Sequence, residues 1–287
     1  MAGNHIQLIT DGTAYLPVSR LRELGVTSLP IVAKAGGQLY MYDQQTYGHL
    51  DLLRELKRAR HPVEIVGPAP DDFRAVFERT LYRTNRMLLL LSSRRLSPVV
   101  RNAQIAARDF MGRCDITIVD SETVSVGLGL LVERAGELLL QGELPLSEIV
   151  RRIRGMMPHI YVVIVSHTLD YLYRSRKLSA MQAILGSILD IHPFMEMEEG
   201  DILPLEKSRR SDKALDKLLE FASEFSQMQK MVIFQSQPEP NDEVMRLHSR
   251  LEQVMPNREV LIIAYDPIIA SFVGPDAVGL VIYEGMA

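Results

Sequence analysis

The sequence has one cysteine, Cys114, and no tryptophan. A lone thiol cannot close an internal disulfide, and it cannot build a thiolate zinc cluster. Without tryptophan, any stacking surface for bases or sugars must come from 8 Phe and 10 Tyr in 287 residues. Long apolar runs are missing too. Those present, such as Met87–Leu91 and Tyr161–Val165, fall far short of the roughly 20 residues that cross a bilayer. No basic segment followed by an apolar one occurs between Met1 and Leu16, so neither a signal peptide nor a membrane span is expected and the expected location is the cytoplasm. Neither sign of charge dominates. Lys and Arg total 32 against 36 Asp and Glu, a net charge of −4, which removes the basic face that nucleic-acid phosphates require. The seven histidines form no pair at helical ligand spacing, so no metal is expected. There is no Walker loop and no Gly-x-Ser-x-Gly elbow. Gly127-x-Gly129 is followed by Val132 where a dinucleotide fingerprint needs its third glycine.

What is present reads as a globular α/β chain. Apolar residues make up 47% and charged residues 24%, which argues against disorder. The length suits one large domain or two ordinary ones. Strands are predicted at Ile6–Thr10, Thr27–Val32, Met87–Leu91, Ile116–Asp120, Tyr161–Ser166, Met231–Gln235 and Glu259–Tyr265. Several are apolar without alternation, the pattern of strands covered on both faces. Helical periodicity falls at Tyr47–Ala59, Pro70–Thr84, Pro98–Met111, Thr123–Leu140, Leu146–Met156, Ser179–Leu189, Asp212–Ser226 and Asp242–Val254. This alternation predicts two domains: residues 1–157 with a mostly parallel sheet flanked by helices, and a smaller α/β domain over 158–287. Ile191–Ser211 reads as a hairpin around Glu199–Gly200–Asp201.

Polar clusters follow several predicted strands: Thr10–Thr13, Ser92–Ser97 and Asp120–Thr123. Ligands of open α/β sheets lie at such carboxyl ends. Hydroxyls and backbone amides there suit an anion such as a carboxylate. The plainer reading is helix capping, which we favour for Thr13 and Thr123. For Ser92–Ser93, beside Arg94 and Arg95, capping and binding stand level.

Taken in order, these segments resemble the DegV family. Ile9–Pro17 is similar to its opening TDSTADLP motif, and Leu29–Ile31 with Tyr40 and Asp43 to the next stretch. Pro68–Phe73 resembles the tail of TSxPSPxDF, and Leu91–Ser93 with Leu96–Ser97 resembles SSxLSGTY. Val119–Ser121 with Gly127–Gly129, Thr168–Leu172, Leu189–Pro193, Lys207–Arg209 and Phe272–Ala277 follow in the family's order. The resemblance implies a two-domain protein that holds one long-chain fatty acid in a tunnel between or within its domains, with the C-terminal domain covering it. It also implies a carrier that presents the carboxylate to a separate fatty-acid kinase and catalyses nothing itself, with the bound acid as ligand and no cofactor. A monomer or weak dimer is expected.

The departures concentrate at the carboxylate end. The family's Thr-Ser pair is Ile65-Val66 here, its histidine is Phe272, and the arginine before Leu178 is Lys177. Ser93 and Arg209 survive. The head group is therefore expected among Ser92, Ser93, Arg94, Arg95, Ser271 and Arg209, since arginine's planar fork suits a carboxylate. The plainer reading of the arginines is solvated charge. The acyl chain is expected against Ile65, Ile184, Ile188, Phe194 and Phe272, although the i, i+3, i+4 spacing of Met181, Ile184, Leu185, Ile188 and Leu189 alone says only that this face is buried. Two rivals stay open: a degenerate relative serving as a partner-docking module, and a small-molecule transferase with Ser93 as nucleophile, which would need a general base in reach.

Overall fold

The computed structural model describes residues 5–43, 51–55, 63–175, 192–208, 211–237, 239–255 and 259–285. Among them the chain forms two compact units. The first draws on Met1–His49, Glu64–Met157 and Glu199–Asp201, and the second on Leu50–Val63, Pro158–Glu198 and Ile202–Ala287.

The first unit holds β1 (Gln7–Asp11), α1 (Val18–Glu23), β2 (Thr27–Leu29), β3 (Ile31–Ala35), β4 (Gln38–Tyr42), β5 (Glu64–Gly67), α2 (Pro70–Leu81), β6 (Arg86–Leu91), α3 (Val99–Ala107), β7 (Asp115–Asp120), α4 (Val126–Gln141) and α5 (Leu146–Met156). Strands β2, β1, β6 and β7 lie in that order in one fully parallel sheet. All of β1 and all of β6 after Arg86 are buried, which is why these strands carry Leu and Ile without alternation. The predicted strand Thr27–Val32 is two strands. Pro30 has no amide hydrogen to give a ladder. Leu29 pairs with Asp11 in the parallel sheet, while Ile31 pairs with Tyr42 in a separate antiparallel sheet of order β4–β3–β5. Gly36 and Gly37 turn β3 into β4 with φ of 56° and 83°, the left-handed pair that tight hairpins need.

Helix ends follow local chemistry. Pro70 opens α2, and the Asp72 carboxylate accepts the Ala69 amide at 2.8 Å. Gly142, at φ 67°, ends α4 in a left-handed cap. The predicted helix Pro98–Met111 is shorter: α3 gives way to a 3₁₀ turn at Arg108–Phe110. Helix α5 keeps its predicted bounds and buries Leu146, Ile149, Ile153 and Met156, one stripe at helical spacing.

The second unit is built from β8 (Ile160–Val165), α6 (Asp170–Arg174), β9 (His192–Glu198), β10 (Asp201–Ser208), α7 (Ser211–Ser223), β11 (Met228–Gln235), α8 (Asp242–Val254), β12 (Val260–Ala264), α9 (Pro267–Val273) and β13 (Val278–Glu284). Its six-stranded sheet runs β10–β9–β8–β13–β11–β12. Pairs β8–β9, β8–β13 and β11–β13 are antiparallel, and β11–β12 is parallel. The hairpin falls where the sequence predicts it. Strand β13 has no counterpart among the strands that the sequence pattern predicts. Its Gly279 breaks the apolar run, and the missing side chain makes room for the Phe234 ring: a Cβ there would lie 2.2 Å from the ring. The core includes Val163, Phe194, Leu218, Ile233, Leu247 and Leu280. Of the predicted helix Tyr47–Ala59, residues 51–55 are described and helical. Ser179–Leu189 lies outside the described residues. No described helix is long and apolar enough to cross a membrane.

Candidate functional site

The carboxyl ends of β1, β6 and β7 carry a dense polar cluster centred on Asp11. This carboxylate is fully buried. It accepts the Ser92 amide at 2.7 Å on one oxygen, and on the other the Thr13 amide at 3.0 Å and the Thr13 hydroxyl at 2.6 Å. Burial raises its pKa above the ordinary 3.8, while the hydrogen bonds from Ser92 and Thr13 pull the other way. Asp11 thereby ties the loop after β1 to the loop after β6. Thr13 is not a helix cap: its hydroxyl and amide are drawn to Asp11, and α1 begins beyond it with Pro17 in the cap position. Thr123 is not a cap either. Ser125 takes that position before α4, and the Thr123 hydroxyl is buried without a hydrogen-bond partner among the described residues.

Ser92 and Ser93 are both fully buried. The Ser92 hydroxyl lies 3.2 Å from that of Ser97. The Ser93 amide donates to the Thr123 carbonyl at 2.9 Å, and its hydroxyl donates to the Gly200 carbonyl at 2.6 Å. Gly200 has φ 79°, a conformation that side chains rarely adopt. A Cβ there would stand 2.4 Å from the Ser93 hydroxyl oxygen and 2.9 Å from the Glu122 Cα. Arg94 is exposed and pairs with Asp120 at 3.2 Å. Arg95 reaches Glu199 at 3.4 Å. Both arginines thus have carboxylate partners within the chain, and both are too exposed for those pairs to contribute much stability.

Ile65 is buried on β5, where it pairs with Ala33. In the second unit, Phe194 is packed in the core, its ring 6.4 Å from that of Phe221. Phe272 is buried on α9. The adjacent Ser271 hydroxyl donates to the Ile268 carbonyl at 2.7 Å, a bond within its own helix. Ile184, Ile188 and Arg209 lie outside the described residues. No group of three or more His, Cys, Asp or Glu able to hold a metal occurs among the described residues.

The second unit also has a cleft that the sequence reading did not single out. Its volume is about 440 Å³, and His167, Thr168, Tyr171, Arg174, Pro275 and Asp276 are among its walls. The signal that could have found it is the one used in the first half of the chain, since Ser166-His167-Thr168 is a polar cluster directly after a strand. His167 pairs with Glu243 at 3.3 Å. The hydrogen bond that the ring donates to the Glu243 carboxylate raises the imidazole pKa above 6.5 against the opposing effect of burial, and Asp276 adds to the rise. The stabilisation from this pair is fully present below the unfolded value and is lost as pH rises through the raised folded value. An NMR titration is expected to place His167 above 6.5. Glu243→Gln is expected to bring it down; an unchanged titration would remove Glu243 as the cause.

A family model described as "Uncharacterised protein, DegV family" matches residues 5–285. A DegV domain-containing protein of Deinococcus radiodurans is 32% identical over 215 residues, 75% of each chain. One from Streptomyces coelicolor is 28% identical over 97% of this chain and 98% of its own. Among solved structures, a DegV family protein from Thermus thermophilus described by its fatty-acid binding superposes with a TM-score of 0.80 at 26% identity, covering 98% of this chain and 100% of that one. A fatty acid binding DegV family protein from Streptococcus agalactiae shares the fold at a TM-score of 0.83 and 24% identity, over 98% and 99% of the two chains. A further DegV family structure, from Eubacterium eligens, is loaded with heptadecanoic acid; it shares the fold at a TM-score of 0.79 and 15% identity, over 98% and 100% of the two chains. The family model runs through both halves of the sequence, and the chain belongs to the DegV family.

Proposed function

We propose that this protein binds one long-chain fatty acid in a tunnel and presents its carboxylate to a separate fatty-acid kinase. It makes and breaks no bonds itself and needs no cofactor. The observation that carries the reading is the whole-length likeness to the Thermus thermophilus protein described by its fatty-acid binding. The head group is assigned to the Ser92–Arg95 loop, where a fixed backbone, two hydroxyls and two guanidinium groups gather at a strand end. Ile184 and Ile188, which the family resemblance singles out, are assigned to the acyl chain. Transferase chemistry at Ser93 finds no support in the geometry, because its hydroxyl proton goes to a backbone carbonyl, which cannot serve as a general base.

One observation favours a second reading, the partner-docking module with no acyl ligand. Ser93, Arg94 and Arg95 all have partners within the chain already. Native mass spectrometry with lipid extraction separates the two readings. The carrier is expected to co-purify with, or take up, a fatty acid of long chain. Ile184→Trp is expected to weaken uptake by about five- to 150-fold, because overfilling an acyl-chain site with a bulky ring costs roughly 1–3 kcal/mol. A protein that stays empty with added acid supports the docking module.

A further inference from the structure

Resting on the fatty-acid reading, we propose that the turn Glu199–Asp201 is a built-in stand-in for the ligand's head group, held on Ser93 and Arg95 until a carboxylate displaces it. A serine hydroxyl has one proton to donate. Here the Gly200 carbonyl takes it at 2.6 Å. A carboxylate oxygen placed on Ser93 needs the same proton, so turn and acid exclude each other at this atom. The neighbouring contact repeats the relation, since the Glu199 carboxylate sits on Arg95 at 3.4 Å. The turn therefore offers the loop one amide carbonyl and one carboxylate, the same acceptor chemistry that a fatty acid carries in its single head group.

The turn is shaped for this position. Glu199 and Gly200 both have left-handed φ, 47° and 79°. The close approach to Ser93 depends on Gly200 having no side chain. The exchange favours the acid in two ways. An ionised acceptor makes a stronger hydrogen bond than an amide carbonyl. The Arg95–Glu199 pair is largely exposed and costs little to open. The Ser93 hydroxyl is never left without an acceptor, so the empty protein avoids the penalty of a buried orphan donor.

The test uses the full chain, sodium oleate as probe, and the variant Glu199→Gln, which opens the ion pair and keeps Ser93, Arg95 and Gly200. Stopped-flow uptake, native mass spectrometry and hydrogen exchange are read together. Oleate is expected to speed amide exchange across Glu199–Asp201. Glu199→Gln is expected to take it up about two- to fivefold faster, the range set by losing one exposed ion pair. Uptake by Glu199→Gln alone supports the proposal in its strongest form. Oleate bound to both proteins at equal rates, with exchange at Glu199–Asp201 unchanged or slowed, overturns the proposal and leaves fatty-acid binding standing. No oleate on either protein overturns both.

Discussion

Asp11→Ala is expected to lower the unfolding free energy by about 2–4 kcal/mol, because it leaves two buried amides without an acceptor. The amides are those of Ser92 and Thr13, which reach Asp11 at 2.7 and 3.0 Å. Part of the loss is offset, since the variant no longer buries a carboxylate. Against a typical total of about 5–15 kcal/mol this is a large fraction, and urea denaturation reads it directly. The effect carries a pH signature. Because the folded pKa of Asp11 is raised, its contribution is fully present below the unfolded value and is lost as pH rises through the folded one. The gap between wild type and Asp11→Ala is therefore expected to be widest in acid and to narrow as pH rises. A gap that widens with pH would show that the hydrogen bonds to the ionised form outweigh burial.

The second large effect is expected at Gly274. Its φ of 81° and ψ of −170° suit glycine almost alone. A Cβ there would meet the Tyr171 ring at 2.3 Å. The Gly274 carbonyl also accepts the Tyr265 hydroxyl at 2.6 Å, deep in the second unit. Gly274→Ala combines backbone strain with overpacking, for a loss of about 3–5 kcal/mol. A double-mutant cycle with Tyr171→Leu divides the cost, since the leucine relieves the ring contact and leaves the strain in place. A Gly274→Ala protein as stable as wild type would mean that this loop moves freely to accept a methyl group.

Much of the architecture is legible from pattern alone, and the exceptions have physical causes. Apolar runs without alternation mark β6 and β8, because both faces of those strands are covered along most of their length. Apolar spacing marks α5 and α8 to the residue. Pro30 shows how one residue sends adjacent strands to different sheets, a consequence of its missing amide hydrogen that hydropathy does not record. Gly279 hides β13 for the opposite reason, because a gap in the apolar pattern is filled by a ring from another strand. At the site, the loops after β1 and β6 are readable as polar clusters at strand ends. The partners within those loops are not. Glu199–Gly200–Asp201 reads plainly as a turn, but nothing local says that its carbonyl meets Ser93, more than a hundred positions away in the chain. The same holds for Arg94 with Asp120 and Arg95 with Glu199, where charge is visible in the sequence and pairing is set by the fold.

The make-up of the first unit also bears on how the protein is born. Every strand and helix of that unit has been synthesised by Met157, yet its last piece, Glu199–Asp201, is translated only after Pro158–Glu198. Chains fold from the N-terminal side as they leave the ribosome. The parallel sheet can therefore assemble on a nascent chain while the acceptor for Ser93 is still inside the exit tunnel. During that interval water serves the Ser93 hydroxyl. Translation order thus sets a brief stage in the life of each molecule when the loop after β6 is uncovered, and it ends when Gly200 emerges.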